Sequence, residues 1–152
     1  MPPNEAPQQV EINGLDDYLD VMSRVVFQSG MSWKVVEAKW PDTRAAFHDF
    51  DVDKVAHLSD REVDALCEDK RVIRNRRKLQ AVVSNAERML DLDQEHKGFR
   101  NYLRSHGDYW AAAKAIRKDF KFLGDMGIFY FMYVVGEDVP TFEAWKKKLK
   151  GT

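Results

Sequence analysis

Cysteine is almost absent from this chain of 152 residues. The single one, Cys67, cannot close an internal disulfide, which excludes a disulfide-stapled scaffold and makes a reducing, cytoplasmic setting the expectation. It follows Val63-Asp64-Ala65-Leu66, with no adjacent His or basic group, so a small packed side chain is expected rather than a reactive thiol. Long apolar runs are missing too: none approaches the roughly 18–20 residues needed to span a bilayer. Histidine is sparse, at 48, 57, 96 and 106, and none stands at ligand spacing to Cys67. No metal and no cofactor is therefore expected. No segment alternates as a strand, and no repeat is visible. The polar, Pro-rich start Met1-Pro2-Pro3-Asn4-Glu5-Ala6-Pro7-Gln8-Gln9 has no basic stretch ahead of an apolar core, so it is not read as a signal peptide. Residues 1–12 are expected to be a disordered lead-in and 13–152 one domain, long enough to bury a core.

Charge is plentiful but divided. The net charge is only −1. Residues 1–70 hold seven Lys/Arg against fifteen Asp/Glu, and residues 71–152 hold seventeen against ten. Arg71-Val72-Ile73-Arg74-Asn75-Arg76-Arg77-Lys78 puts five cations into eight residues. A clustered basic face suits a polyanion such as DNA, though such a run is equally what a solvated helix face carries.

The apolar spacing is helical throughout. Leu15, Tyr18, Leu19, Met22, Val25 and Val26 predict a helix over 15–28, closed at Gly30. A second runs from Ser32 to just before Pro41, and a short third covers 43–47. Asp51 caps a helix to 57, and Ser59-Asp60-Arg61-Glu62 is a capping box opening one to Cys67. The longest helix is expected over 73–91. Helices at 99–105, 108–118, 125–135 and 141–150 complete an all-α domain of about eight or nine short helices.

Four segments carry a family resemblance. Phe27-Gln28-Ser29-Gly30-Met31-Ser32-Trp33 resembles the F-Q-[AS]-G-L-S-W segment of the DNA-3-methyladenine glycosylase I family. Phe47-His48-Asp49-Phe50-Asp51-Val52-Asp53-Lys54-Val55-Ala56 is similar to its A-F-x-x-F-D-x-x-K-V-A. The run from Arg71 to Ala81, then Asn85-Ala86, resembles its I-I-R-N-R-x-K-I-x-A…N-A. Phe120-Lys121-Phe122-Leu123-Gly124, followed by Tyr130-Phe131-Met132, resembles its hairpin.

The resemblance implies a helix-hairpin-helix DNA glycosylase fold. It implies excision of an alkylated purine of the 3-methyladenine type by base flipping and hydrolysis of the glycosidic bond, in base-excision repair, with double-stranded DNA holding a damaged base as the partner and no membrane. A monomer is expected. An N3-methylated adenine is cationic, so aromatic faces can hold it and its bond to the sugar is already weakened. Two departures stand out. The family's Leu-Glu-Gly before F-Q-[AS]-G-L-S-W, whose Glu contacts the base, is here Arg24-Val25-Val26. Its N-terminal zinc ligands and pocket Tyr are replaced by the short lead-in, and its Asn-Asp-His…Cys tail by Gly136 to Trp145.

Trp33, Gln28, Phe27 and Val25 are therefore the candidate base pocket. Trp33 either lines a cleft or plugs the core, and Gln28 either reads a purine edge or ends a helix in solvent. Arg74, Asn75, Arg77, Lys118, Lys121 and Gly124 are the candidate DNA contacts, with helix capping and surface charge as the alternatives for the first three. Gly127 implies a close backbone approach or a tight helix contact. Lys146, Lys147, Lys148 and Lys150 are read as a frayed, solvated end. No catalytic residue emerges beyond weak candidates Asp138 and Glu143, and Glu143 also suits the dipole of a helix opening after Thr141. Two other functions remain open: a catalytically silent DNA-binding module of the same fold, and a helical protein-interaction domain.

Overall fold

A computed structural model describes residues 8–151. Among them are nine α-helices and no strand: α1 (Leu15–Gln28), α2 (Trp33–Ala46), α3 (Val52–Ala56), α4 (Asp60–Cys67), α5 (Arg76–His96), α6 (Phe99–Leu103), α7 (Tyr109–Asp119), α8 (Asp125–Val134) and α9 (Phe142–Lys150). The all-α expectation holds. α5 is the central post, packed against α1, α3, α4 and α6, while α8 lies against α1 and α7.

Side-chain caps set most helix starts. Ser32, Asp51, Ser59, Asn75, Asp108 and Thr141 each accept a backbone N–H two or three residues into the following helix. The box at Ser59 and Glu62 forms as expected. Two boundaries differ from expectation. Pro41 does not stop α2, which runs on to Ala46 and absorbs the separate helix expected at 43–47. Pro41 is itself exposed, while Trp40, Thr43 and Phe47 on the inner face are buried and hold both halves of the helix on the core. The longest helix also begins later and ends later than the apolar stripe implied. Asn75 takes extended geometry and its Oδ1 accepts from Lys78 N at 3.2 Å, leaving Ile73 and Arg74 in the preceding loop. At the far end α5 runs to His96, five residues past the expected end at 91, before Lys97 turns left-handed at φ 56° and Gly98 follows at φ 138°.

Most of the expected lead-in, residues 1–7, lies outside the described residues. Gln9 and Val10 lie along the C-terminal end of α8: Gln9 Nε2 donates to Tyr133 O and Val10 N to Val134 O, both at 2.9 Å. Cys67 is half-buried against the core.

Candidate functional site

The turn between α1 and α2 is built to present Trp33. α1 ends at Gln28, and Gly30 reverses the chain at φ 79°, where a side chain would be strained. Gln28 Nε2 donates to Met31 O at 2.9 Å, which closes the turn. Lys78 anchors it from the first turn of α5. Its ammonium donates to Phe27 O at 2.9 Å and to Ser29 O at 2.5 Å, the orphan carbonyls at the end of α1. Burial pushes the Lys78 ammonium below its ordinary pKa. Trp33 emerges buried, its ring edge-on to Tyr130 of α8 at 5.3 Å. Its indole Nε1 is buried and makes no hydrogen bond among the described residues.

Val25 and Trp33 share the wall of a small void together with Val10, Val21, Arg24 and Val134. The void measures about 10 Å³, at most the space of one water, and no carboxylate lines it. Gly127 of α8 presses on this wall: a Cβ there would come within 2.9 Å of Val25 Cγ1. Of the two alternatives, Gly127 is thus at a tight helix–helix contact. Arg24, at the rim, is held by Asp20 at 2.9 Å and Glu37 at 3.0 Å. Asp20 also accepts from Trp40 Nε1 at 3.1 Å and pairs with Arg44. Phe27 points the other way, fully buried against Trp40 and Phe47. The structure therefore brings Val25 and Trp33 together, uses Gln28 as the turn's clasp and puts Phe27 in the core.

The hairpin lies between α7 and α8, over residues 120–124. Asn85 clamps it: Lys121 N donates to Asn85 Oδ1 at 2.8 Å, and Asn85 Nδ2 donates back to Lys121 O at 3.1 Å. Asp119, at its base, accepts from Arg88 at 2.9 Å and from the Tyr102 hydroxyl at 2.6 Å. Burial, then that hydrogen bond, raises the Tyr102 phenol well above its ordinary pKa. Phe122 sits at φ 61°, and the Arg77 guanidinium lies over its ring at 5.6 Å. Gly124 precedes α8 in extended geometry, so the free N–H groups and positive dipole of α8 open beside the exposed Lys121. Lys118 is exposed on α7.

The five cations of the 71–78 cluster separate into three kinds. Arg71 pairs with Asp69 and Arg76 with Asp64, both at 2.7 Å. Lys78 is buried as the α1 anchor. Arg74 and Arg77 remain exposed, with Arg77 reaching the hairpin through Phe122. Asn75 is an N-cap.

Asp138 lies on a different surface from the Trp33 void. It lines a cleft of about 430 Å³ with Arg104, Asp108, Tyr109 and Glu137, where Arg104 and Glu137 pair at 2.9 Å. Glu143 is exposed in the first turn of α9. Among the described residues, no group of three or more His, Cys, Asp or Glu side chains could hold a metal ion, so the residues present do not fit the family's zinc site.

Sequence reasoning passed over Lys78, Asn85 and the Arg88–Asp119–Tyr102 group. Lys78 and Asn85 both sit inside a recognised motif, but Lys78 counted only as one cation of the basic cluster and Asn85 was given no role. Their spacing on the inner face of α5, beside Leu79, Val82 and Ala86, is the signal that could have found them.

The model of the methyladenine glycosylase family matches residues 16–123. DNA-3-methyladenine glycosylase 1 of Escherichia coli (strain K12) is 32% identical over 130 residues, covering 72% of this chain and 70% of that protein. The DNA-3-methyladenine glycosylase of Haemophilus influenzae is 29% identical over the same shares of each chain. A crystal structure of 3-methyladenine DNA glycosylase I superposes with a TM-score of 0.74 at 27% identity, covering 88% of this chain and 84% of that one. On the family match, the relatives and the shared all-helical architecture, this chain belongs to the methyladenine glycosylase family.

Proposed function

We propose that this protein is a DNA glycosylase that releases an alkylated purine of the 3-methyladenine type from duplex DNA, working as a monomer in the cytoplasm, with 13–152 as its catalytic domain. One observation carries the reading for this chain. The helix that opens at the hairpin, α8, also presses Gly127 and Tyr130 onto Val25 and Trp33, so the DNA-holding element and the wall of the base site are one rigid unit. The buried, unpaired indole N–H of Trp33 supports it further. Such a donor costs about 1–3 kcal/mol while it lacks an acceptor, and it stands at the wall where the base would enter.

The steps follow from the residues. Arg74, Arg77, Lys118, Lys121 and the start of α8 hold phosphates, a contact that carries no sequence information. The damaged nucleotide turns out of the stack, where its unpairing is cheapest. Trp33 supplies the aromatic face for it. Admission requires the wall to move, and Gln9–Val10 is its least embedded part, held by two hydrogen bonds with Val10 38% exposed. No carboxylate faces the void, so bond cleavage relies on the positive charge of the base itself and on water entering behind it. Asp138 and Glu143 lie on other surfaces, and neither is assigned the water.

The void also supports a second reading: a DNA-binding module that kept the fold and closed the pocket with Val25 and Val10. Release of free 3-methyladenine from methylated duplex DNA decides between them. Release above the uncatalysed rate supports the enzyme; salt-sensitive binding without release supports the module.

A further inference from the structure

The family match stops at residue 123, so α9 lies beyond it. This helix carries Lys146, Lys147, Lys148 and Lys150, all exposed, against a single carboxylate, Glu143. The sequence suggested a frayed end. The structure docks it: Trp145 is 4% exposed, lies 5.0 Å from Phe129 of α8 and stacks on Phe142 at 5.7 Å. The helix that bears the lysines is thus docked on α8, the helix that opens at the hairpin.

Two of them are steered by aromatic faces. Lys146 Nζ stands 5.4 Å over the Phe142 ring, and Lys148 Nζ stands 5.5 Å over Trp110 of α7. A cation over a ring is held in place while its N–H groups stay available to a phosphate. Leu149, in the last turn of α9, lines one groove of about 190 Å³ with Trp110, Lys114 and Arg117 of α7 and with Asp125, the first residue of α8. The basic end of α9 is therefore continuous with the hairpin through the exposed Lys114, while Arg117 beside it is paired with Asp125.

We propose that α9 is a second clamp on the DNA backbone, extending the strand held at 120–124 across Lys114 and Trp110 onto Lys146, Lys147, Lys148 and Lys150. The proposal rests on the glycosylase or DNA-binding reading, since it takes DNA to be at the hairpin. The four lysines span 146–150, about 6 Å of helix axis, enough to face about two phosphates of one strand at 3.4 Å of axis each. Lysine suits such contacts, being a flexible point charge that asks for no particular base. An anionic membrane fits less well, because the apolar side of α9 is already spent on Phe129 and has nothing left to insert.

The test uses the full chain and a 20-base-pair duplex titrated at several salt concentrations. The variant Lys146→Gln/Lys147→Gln/Lys148→Gln/Lys150→Gln should bind about tenfold or more weakly at low salt, with a salt slope shallower by about two. Its melting temperature should match the wild type, because all four side chains are exposed. Replacing the same four by Arg should preserve affinity and slope. If the Gln variant keeps wild-type affinity and slope while Arg74→Ala/Arg77→Ala weakens binding, α9 is a solvated face and the proposal fails, with the DNA reading intact. A wild-type protein that does not bind the duplex at all overturns both. Loss of binding to phosphatidylserine vesicles with DNA affinity unchanged also overturns it.

Discussion

Gly127 and Val25 should be energetically coupled, and the coupling can be worked from their contact. A methyl group at 127 would lie 2.9 Å from Val25 Cγ1, well inside van der Waals distance. Gly127→Ala gains about 1 kcal/mol of helix propensity but forces α8 off α1, an overpacking cost of about 1–3 kcal/mol. The expected net is a loss of up to about 2 kcal/mol. Val25→Ala removes two methyl groups from a side chain that is 2% exposed, at about 0.8 kcal/mol each plus the cavity, about 2–3 kcal/mol in all. In the double variant the new methyl occupies the space Val25 vacated. Its loss should fall short of the sum of the singles by about 1–2 kcal/mol. Urea unfolding of all four proteins, with two-state fits sharing one slope, measures this directly. Sites that do not touch add within about 0.5 kcal/mol. Additivity within that margin, or a stabilised Gly127→Ala single variant, would show that α8 does not bear on Val25, and the linkage between hairpin and base site would collapse with it.

Other consequences are as direct. Lys78→Met keeps the stem but removes two hydrogen bonds to α1 carbonyls, and should cost about 2–3 kcal/mol by chemical unfolding. The wild-type advantage should grow with pH: the folded Lys78 pKa is lowered, so between that value and 10.5 the unfolded chain binds more protons and stability rises. A gap that shrinks over that window means the ammonium is not buried. Arg74→Ala/Arg77→Ala should weaken binding equally on unrelated duplexes and flatten the salt slope by about two, whereas Arg71→Ala and Arg76→Ala, which free Asp69 and Asp64, should change the slope less. Trp33→Ala should remove a stacking platform worth roughly 1–3 kcal/mol, so base release falls while duplex binding persists; equal losses in both would place Trp33 in the scaffold alone.

Much of the architecture was written in local chemistry. The caps at Ser32, Asp51, Ser59, Asp108 and Thr141 act within one turn, so their sequence spacing is their geometry. The motif Phe27 to Trp33 likewise predicts its own turn, because Gly30 alone tolerates the left-handed backbone there. Boundaries failed where distant packing overruled local preference. Pro41 breaks an isolated helix, yet inside this one Trp40 and Thr43 bury enough surface to carry α2 past it.

The site was legible as a list of residues and not as an arrangement. Periodicity cannot say that Phe27 faces Trp40 while Val25, two residues earlier, faces α8, because that depends on which helix covers each side of α1. Nor can charge counting tell a buried anchor from a phosphate contact: the cluster reads as five equal cations until Asp69 and Asp64 claim two and the end of α1 claims Lys78. Sequence alone determined the helices, their caps and the motifs that mark the family, since these rest on contacts within a few residues. Tertiary structure alone decided which cations stay free, that α9 with its lysines docks on α8, and that Val25 and Val10 close the void beside Trp33. These depend on side chains far apart in the chain whose meeting is set only when the helices pack.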